Sequence, residues 1–172
     1  MEYALKQIRA SGIEAALQKA DKYRELNQPA EAESICRDVL AIDPGHQLAL
    51  RTLGLALTDR FESFSGALFG EAQGTFAGLR DPYERAFYAG LVCERQARAQ
   101  LAAHLPAASI RALFEQALAH YAEAEAIRPP DNDDPILRWN SCVRALEAAP
   151  DFGRPDPPSA ADWDTDFVPH RR

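Results

Sequence analysis

Apolar residues recur at spacings of three and four through most of the first 148 positions, which is the pattern of amphipathic helices. One such segment covers residues 13–26 and a second covers residues 30–42. The breaker Asn27-Gln28-Pro29 separates them, and Asp43-Pro44-Gly45 ends the second. Two helices joined by a short turn are therefore predicted to form a helical hairpin.

The same periodicity continues with proline-marked boundaries, and no run of alternating β-branched residues competes with it. Asp81 followed by Pro82 has the form of an N-cap and a first helical residue, and Asp134-Pro135 repeats that form. Further helices are predicted around residues 50–57, over 63–79, from 82 past 101, from 106 to 129 and from 134 to 148, with a short extra helix over 2–10. The fold class is therefore predicted to be all-α.

The first hairpin carries a repeat signature. Tyr23, Ala32 and Pro44 have the spacing of the tyrosine, alanine and terminal proline of the tetratricopeptide repeat, a 34-residue helix-turn-helix unit, and the segment resembles a divergent copy of it. Gly54 lies 34 residues after Ala20, so a second unit begins at the expected period. Later units are longer, because successive terminal prolines are 38 and 47 residues apart.

The resemblance implies a right-handed α-solenoid of antiparallel helix hairpins with about seven or eight helices. Its three repeats would be residues 12–46, 47–80 and 81–130, followed by a capping helix over 133–148. Together these form a predicted tetratricopeptide-like domain over residues 1–148. A proline-rich acidic tail over residues 149–172 is expected to lie outside it.

A concave groove lined by the first helix of each unit is the binding surface that the resemblance implies. Residues one position along from the internally packed face point about 100° away, towards that groove. The predicted groove residues are Leu17, Asp21, Arg24, Arg51, Leu55, Thr58, Phe87, Leu91, Glu94, Arg98 and, on the last helix, Arg144. Such a mixed apolar and charged strip suits a peptide or helix of a partner protein, whereas a merely solvated face is the alternative interpretation.

Charge and composition exclude several other functions. The 172-residue chain has a net charge of -7, which argues against a nucleic-acid or anionic membrane partner. No run of 18 uncharged apolar residues and no signal-like N-terminus occur, so a cytoplasmic location is expected. The cysteines, Cys36, Cys93 and Cys142, are widely spaced and are predicted to be buried rather than metal-binding or redox-active.

No catalytic motif is recognised, so the chain is predicted to be a noncatalytic interaction module or adaptor that needs no cofactor and no metal. Two alternatives remain open. One is a chaperone resembling the small tetratricopeptide proteins of secretion systems, which shield an exported substrate. The other is a small enzyme or cofactor carrier that uses the lengthened third repeat.

Two further features invite hypotheses. Gly66, Gly70, Gly74 and Gly78 form a stripe along one predicted helix, where they would admit neighbouring helices or large side chains such as Phe61, Phe87 and Tyr88. The alternative is a helix that becomes ordered with a partner. In the tail, Trp163 and Phe167 stand among aspartates, and we expect them to dock on the chain's own groove or on a second copy.

Overall fold

The computed structural model describes residues 3–62 and 66–148, and all regular secondary structure in these ranges is helical. A short 3₁₀ turn, Ala10–Gly12, precedes the first α-helix. The α-helices of the described residues are α1 (Ile13–Glu25), α2 (Pro29–Leu40), α3 (Gln47–Thr58), α4 (Gly66–Ala77), α5 (Pro82–Ala102), α6 (Ala107–Ala126) and α7 (Asp134–Ala148). The all-α prediction is confirmed.

Local sequence signals account for the helix boundaries. The Asp81 carboxylate accepts a hydrogen bond of 2.9 Å from the backbone N–H of Tyr83, and Pro82 is the first residue of α5. His46 caps α3 in the same way, through its ring nitrogen. Beyond the ends of α1 and α5, Asn27 and His104 adopt left-handed backbone conformations with φ of 57° and 55°, which turn the chain out of each helix.

The N-terminal segment differs from its prediction. Residues 3–9 form no helix, and the regular structure among the described residues before α1 is the single turn at Ala10–Gly12. Leu5 is 96 % exposed, so this part of the segment has little apolar surface to pack against. The predicted helix over 2–10 is thus wrong where it is described, because a short helix needs tertiary packing to offset its nucleation cost.

Each α-helix packs against the next one along the chain, and α3 also contacts α1 and α5. One apolar core lies mainly among α1 to α4 and includes Leu17, Leu57 and Phe76. A second core joins α5, α6 and α7 and includes Phe114 and Tyr121. No helix in the described part of the chain is long and apolar enough to cross a membrane.

Two glycines allow aromatic rings to seat directly on a helix backbone. A Cβ atom added at Gly54 would lie 2.4 Å from the Phe76 ring, and one added at Gly90 would lie 2.8 Å from the Tyr121 ring. Gly54 is in α3 and Phe76 in α4, whereas Gly90 is in α5 and Tyr121 in α6. The same glycine-aromatic contact therefore closes two successive helix pairs.

The glycine stripe of α4 does not behave as predicted. Outside the local backbone, a Cβ atom added at Gly66, Gly70 or Gly74 would meet nothing within 4 Å, so no helix or aromatic ring among residues 3–62 and 66–148 packs on these positions. Gly78, just past the helix, is the exception and lies against Leu50. The expectation of close helix approach is wrong for the three helical glycines, because this side of α4 faces away from the core.

Candidate functional site

A depression of about 400 Å³ crosses three alternate helices, α3, α5 and α7. It is lined by Leu55 of α3, Phe87, Tyr88, Leu91 and Arg95 of α5, and Asp134, Leu137 and Arg138 of α7. We call this surface the α3–α5–α7 groove. Its volume falls within the range of roughly 300–1,000 Å³ that is typical of ligand-binding pockets.

The floor of the groove is an aromatic cluster around Phe87. Its ring stacks on Tyr83 at 5.9 Å, meets Tyr88 edge-on at 5.3 Å and approaches Tyr121 at 5.8 Å. Leu137 lies at the edge of the groove and is 62 % exposed. The groove thus combines an apolar floor with an apolar side chain that the described part of the chain leaves largely uncovered.

One side of the groove carries an arginine-carboxylate-arginine arrangement. Asp59, which follows α3, accepts a hydrogen bond of 2.8 Å from Arg24 Nε and also pairs with Arg95. The Thr58 hydroxyl accepts a 2.7 Å hydrogen bond from Arg95 Nη1. Two guanidinium groups thus share the Asp59 carboxylate, while the carboxylates of Asp21 and Glu25 line a neighbouring depression together with Arg24 and Asp59.

A second arrangement of the same kind lies beneath the other side. Glu94 is only 1 % exposed, and it pairs with Arg98 at 2.9 Å and with Arg138 at 3.7 Å. The Tyr121 hydroxyl donates a 2.7 Å hydrogen bond to its other carboxylate oxygen. These contacts connect α5, α6 and α7, and they again leave one arginine in excess.

Burial and the Glu94 charge shift the protonation of the groups next to this carboxylate. Burial first, and then the Glu94 charge, raise the pKa of Tyr121 far above its ordinary value. The same two causes raise the pKa of the Cys142 thiol to about 12. Both groups therefore stay neutral at physiological pH and act as parts of the core.

Several predicted residues do meet at the groove. Leu55, Phe87 and Leu91 line it directly. Arg24 lies in a neighbouring depression of about 550 Å³ and is connected to Arg95 of the groove only through the shared Asp59. Arg98 pairs with Glu94 and also donates a 2.8 Å hydrogen bond to the Ser141 hydroxyl.

Other predicted residues lie elsewhere. Leu17 and Asp21 line a separate depression of about 260 Å³ against the start of α3. Arg51 pairs with Glu84 at 3.2 Å, and Arg144 is exposed near the end of α7. The predicted strip is therefore divided rather than continuous.

Four of the predicted side chains are buried, contrary to the expectation that they face a partner. Leu17 and Leu91 are packed in the helical core, with only an edge at a depression. Thr58 donates its hydroxyl to the Leu55 carbonyl, and Glu94 is engaged by its arginines and Tyr121. The cause is that neighbouring helices cover positions which a single-helix projection leaves open.

The sequence reasoning missed Tyr88, Arg95, Asp134, Leu137 and Arg138. Arg95 was detectable, because Phe87, Leu91 and Arg95 follow one another at intervals of four and so share a helix face. The α7 residues were missed because that helix was interpreted only as a cap.

Metal and thiol chemistry have little structural basis in the described residues. No group of three or more His, Cys, Asp or Glu side chains there could hold a metal ion. Burial raises the pKa of Cys36 to about 12 and that of Cys93 to about 11, so the reactive thiolate forms are suppressed.

Comparison with models of known protein families gave no match, and a search among curated proteins found no similar sequence.

Proposed function

We propose that this protein is a noncatalytic binding module, a tetratricopeptide-like α-solenoid that holds a peptide or helix of a partner protein in the α3–α5–α7 groove. The observation that carries the proposal is the groove itself, with its apolar floor around Phe87, the exposed Leu137 and the lining arginines Arg95 and Arg138. Exposed apolar surface beside polar groups is typical of interaction sites.

The pattern of helix contacts supports the solenoid part of the proposal. In a solenoid of hairpins, each helix packs against its neighbours along the chain and the first helices of successive units also touch. The contacts of α3 with both α1 and α5 are of this kind. The pairs α1–α2, α3–α4 and α5–α6 would be the three units, and α7 the cap.

The repeated glycine-aromatic contact also supports it. Gly54 with Phe76 and Gly90 with Tyr121 hold equivalent places in the second and third proposed units. In the first unit, the fully buried Ala20 precedes Gly54 by 34 residues and would be its counterpart.

The chemistry of the groove indicates the kind of partner. Leu55, Phe87 and Leu137 would bury apolar side chains and supply most of the affinity, because desolvated apolar anchors dominate such interfaces. Arg95 and Arg138 would set register and association rate through acidic residues of the partner. A peptide that combines apolar and acidic residues fits this surface best.

Site-specific photocrosslinking tests the proposal. A benzophenone amino acid replaces Leu137, whose exposure allows the substitution without disturbing the core, and a control chain carries it at the exposed Gln73 of α4. Crosslinking in cell extract should give protein adducts from position 137 that are absent from position 73. Identical adducts at both positions would contradict a partner-binding groove. So would the absence of any adduct with another protein, in the chain as it is and in the variant W163A/F167A.

A further inference from the structure

We propose that the α3–α5–α7 groove is occupied by the chain's own acidic-aromatic segment, residues 162–167, which competes with the partner. This inference rests on the proposed function, since it concerns the regulation of the same groove. The segment, Asp-Trp-Asp-Thr-Asp-Phe, lies outside the described residues.

The charges of the segment are complementary to those of the groove arginines. The segment holds three aspartates and no basic residue. In the groove, Arg95 and Arg138 each belong to a cluster in which two arginines share one carboxylate. Asp134, at the start of α7, also lines the groove. Its carboxylate would repel the aspartates of the segment, so we expect these to lie nearer the two arginines.

The aromatic residues of the segment also match the apolar surface of the groove. Leu137 is 62 % exposed, and the side chain of the adjacent Arg138 is 44 % exposed, so an apolar surface and a cation lie together at the edge of the groove. In the segment, each aromatic residue has an aspartate beside it, so Trp163 or Phe167 can cover Leu137 and the Phe87 floor while an aspartate meets an arginine. The chain thus carries both halves of one interface.

The length of the connection makes the contact possible within one molecule. From Ala148 back to Arg138 along α7 is about 15 Å at 1.5 Å per residue. Fourteen residues, 149–162, separate the end of α7 from Trp163, and an extended proline-rich chain of that length spans about 43 Å at roughly 3.1 Å per residue. A tether of this kind gives an effective concentration on the order of millimolar, so even a weak contact is populated.

The experiment uses the purified full-length chain with the benzophenone amino acid in place of Leu137. The expected product has the mass of one chain, with position 137 linked to a peptide that contains Trp163. In the variant W163A/F167A, and separately in D162N/D164N/D166N, the yield of this internal crosslink should fall roughly tenfold. A tenfold change corresponds to a loss of about 1.4 kcal/mol in the free energy of binding of the segment.

Matched controls test the geometry. The probe at Gln73 should give no link to residues 162–167, because this exposed position of α4 does not line the groove. Arg138→Gln should lower the yield from a probe at position 137, whereas Arg37→Gln on α2, an exposed arginine paired with Glu33 and Glu71 away from the groove, should not. A product of twice the chain mass would assign the segment to a second copy, and either that result or the absence of any link to the segment would overturn the proposal.

Partner capture separates this inference from the proposed function. If the segment competes, W163A/F167A should increase the partner adducts formed at position 137 in cell extract. If partner adducts form equally with and without W163A/F167A and no internal link is found, the result would support the binding module and overturn the self-occupied groove. An internal link with no partner adduct in either chain would support the segment contact and overturn the binding module.

Discussion

Replacing Gly70 and Gly74 of α4 by alanine should stabilise the protein. Both are interior residues of the helix Gly66–Ala77, and an added Cβ at either one would meet nothing within 4 Å. Glycine is about 0.8–1.0 kcal/mol less favourable than alanine in a helix interior, mainly because of its backbone entropy in the unfolded chain. The double variant should therefore gain about 1–2 kcal/mol in free energy of unfolding.

The opposite result is expected for the two glycines that face aromatic rings. Gly54→Ala and Gly90→Ala gain the same backbone term, but the new methyl group would overlap Phe76 or Tyr121. Both rings are buried, so they cannot move aside into solvent. Overpacking of this kind costs about 1–3 kcal/mol, and each variant should be destabilised on balance.

Urea unfolding followed by far-ultraviolet circular dichroism measures these differences for all the variants under one set of conditions. The midpoint should rise for G70A/G74A and fall for G54A and G90A, with unchanged dependence on urea. A thermal scan should show an increase of about 2–4 °C for each kcal/mol gained. If G70A/G74A lowered the midpoint, the open space beside α4 would be occupied in solution and the reasoning would be refuted.

Three further predictions concern the buried groups. The thiols of Cys36, Cys93 and Cys142 should react with a maleimide at pH 8 only after unfolding, because burial raises their pKa values to about 12, 11 and 12; rapid labelling of the folded chain would contradict this. The fold favours the neutral thiols, so their contribution to stability is complete below the ordinary thiol pKa of 9.0 and is lost as the pH rises towards 11–12. The urea midpoint of unfolding should therefore fall between pH 9 and about 12. A midpoint that stays constant over this range would refute the prediction. Tyr121→Phe should lower the free energy of unfolding by about 1.5–3 kcal/mol, because it removes the hydrogen bond to the Glu94 carboxylate. In a double-mutant cycle with Glu94→Gln, the two changes in this free energy should not add, and strict additivity would contradict the predicted interaction.

Much of the fold could be read from the sequence, because helix formation and termination depend on neighbouring residues. The proline and aspartate signals at positions 81–82 and the breaker after α1 fall where the structure begins or ends a helix. The helix predicted before α1 does not form over residues 3–9, where Tyr3 and Leu5 are exposed and only Ile8 packs partly against the core. Local preference alone does not stabilise so short a helix.

The groove was only partly predictable. Phe87 and Leu91 followed from the periodicity of α5, yet Leu137 and Arg138 come from a helix far along the chain. Glu94 showed the same limitation, because its burial depends on Tyr121 of α6 and Arg138 of α7. A carboxylate that reads as exposed on its own helix became the buried centre of a three-helix contact.

By itself, the sequence determined the all-α class and the approximate bounds of α1 to α7, since both follow from periodicity, caps and breakers within a few residues. Only the tertiary structure decided what each helix face meets. Gly54 and Gly74 look alike in sequence, but one accepts the ring of Phe76 and the other borders open space. The difference arises because a missing Cβ matters for packing only where another helix brings a side chain against it.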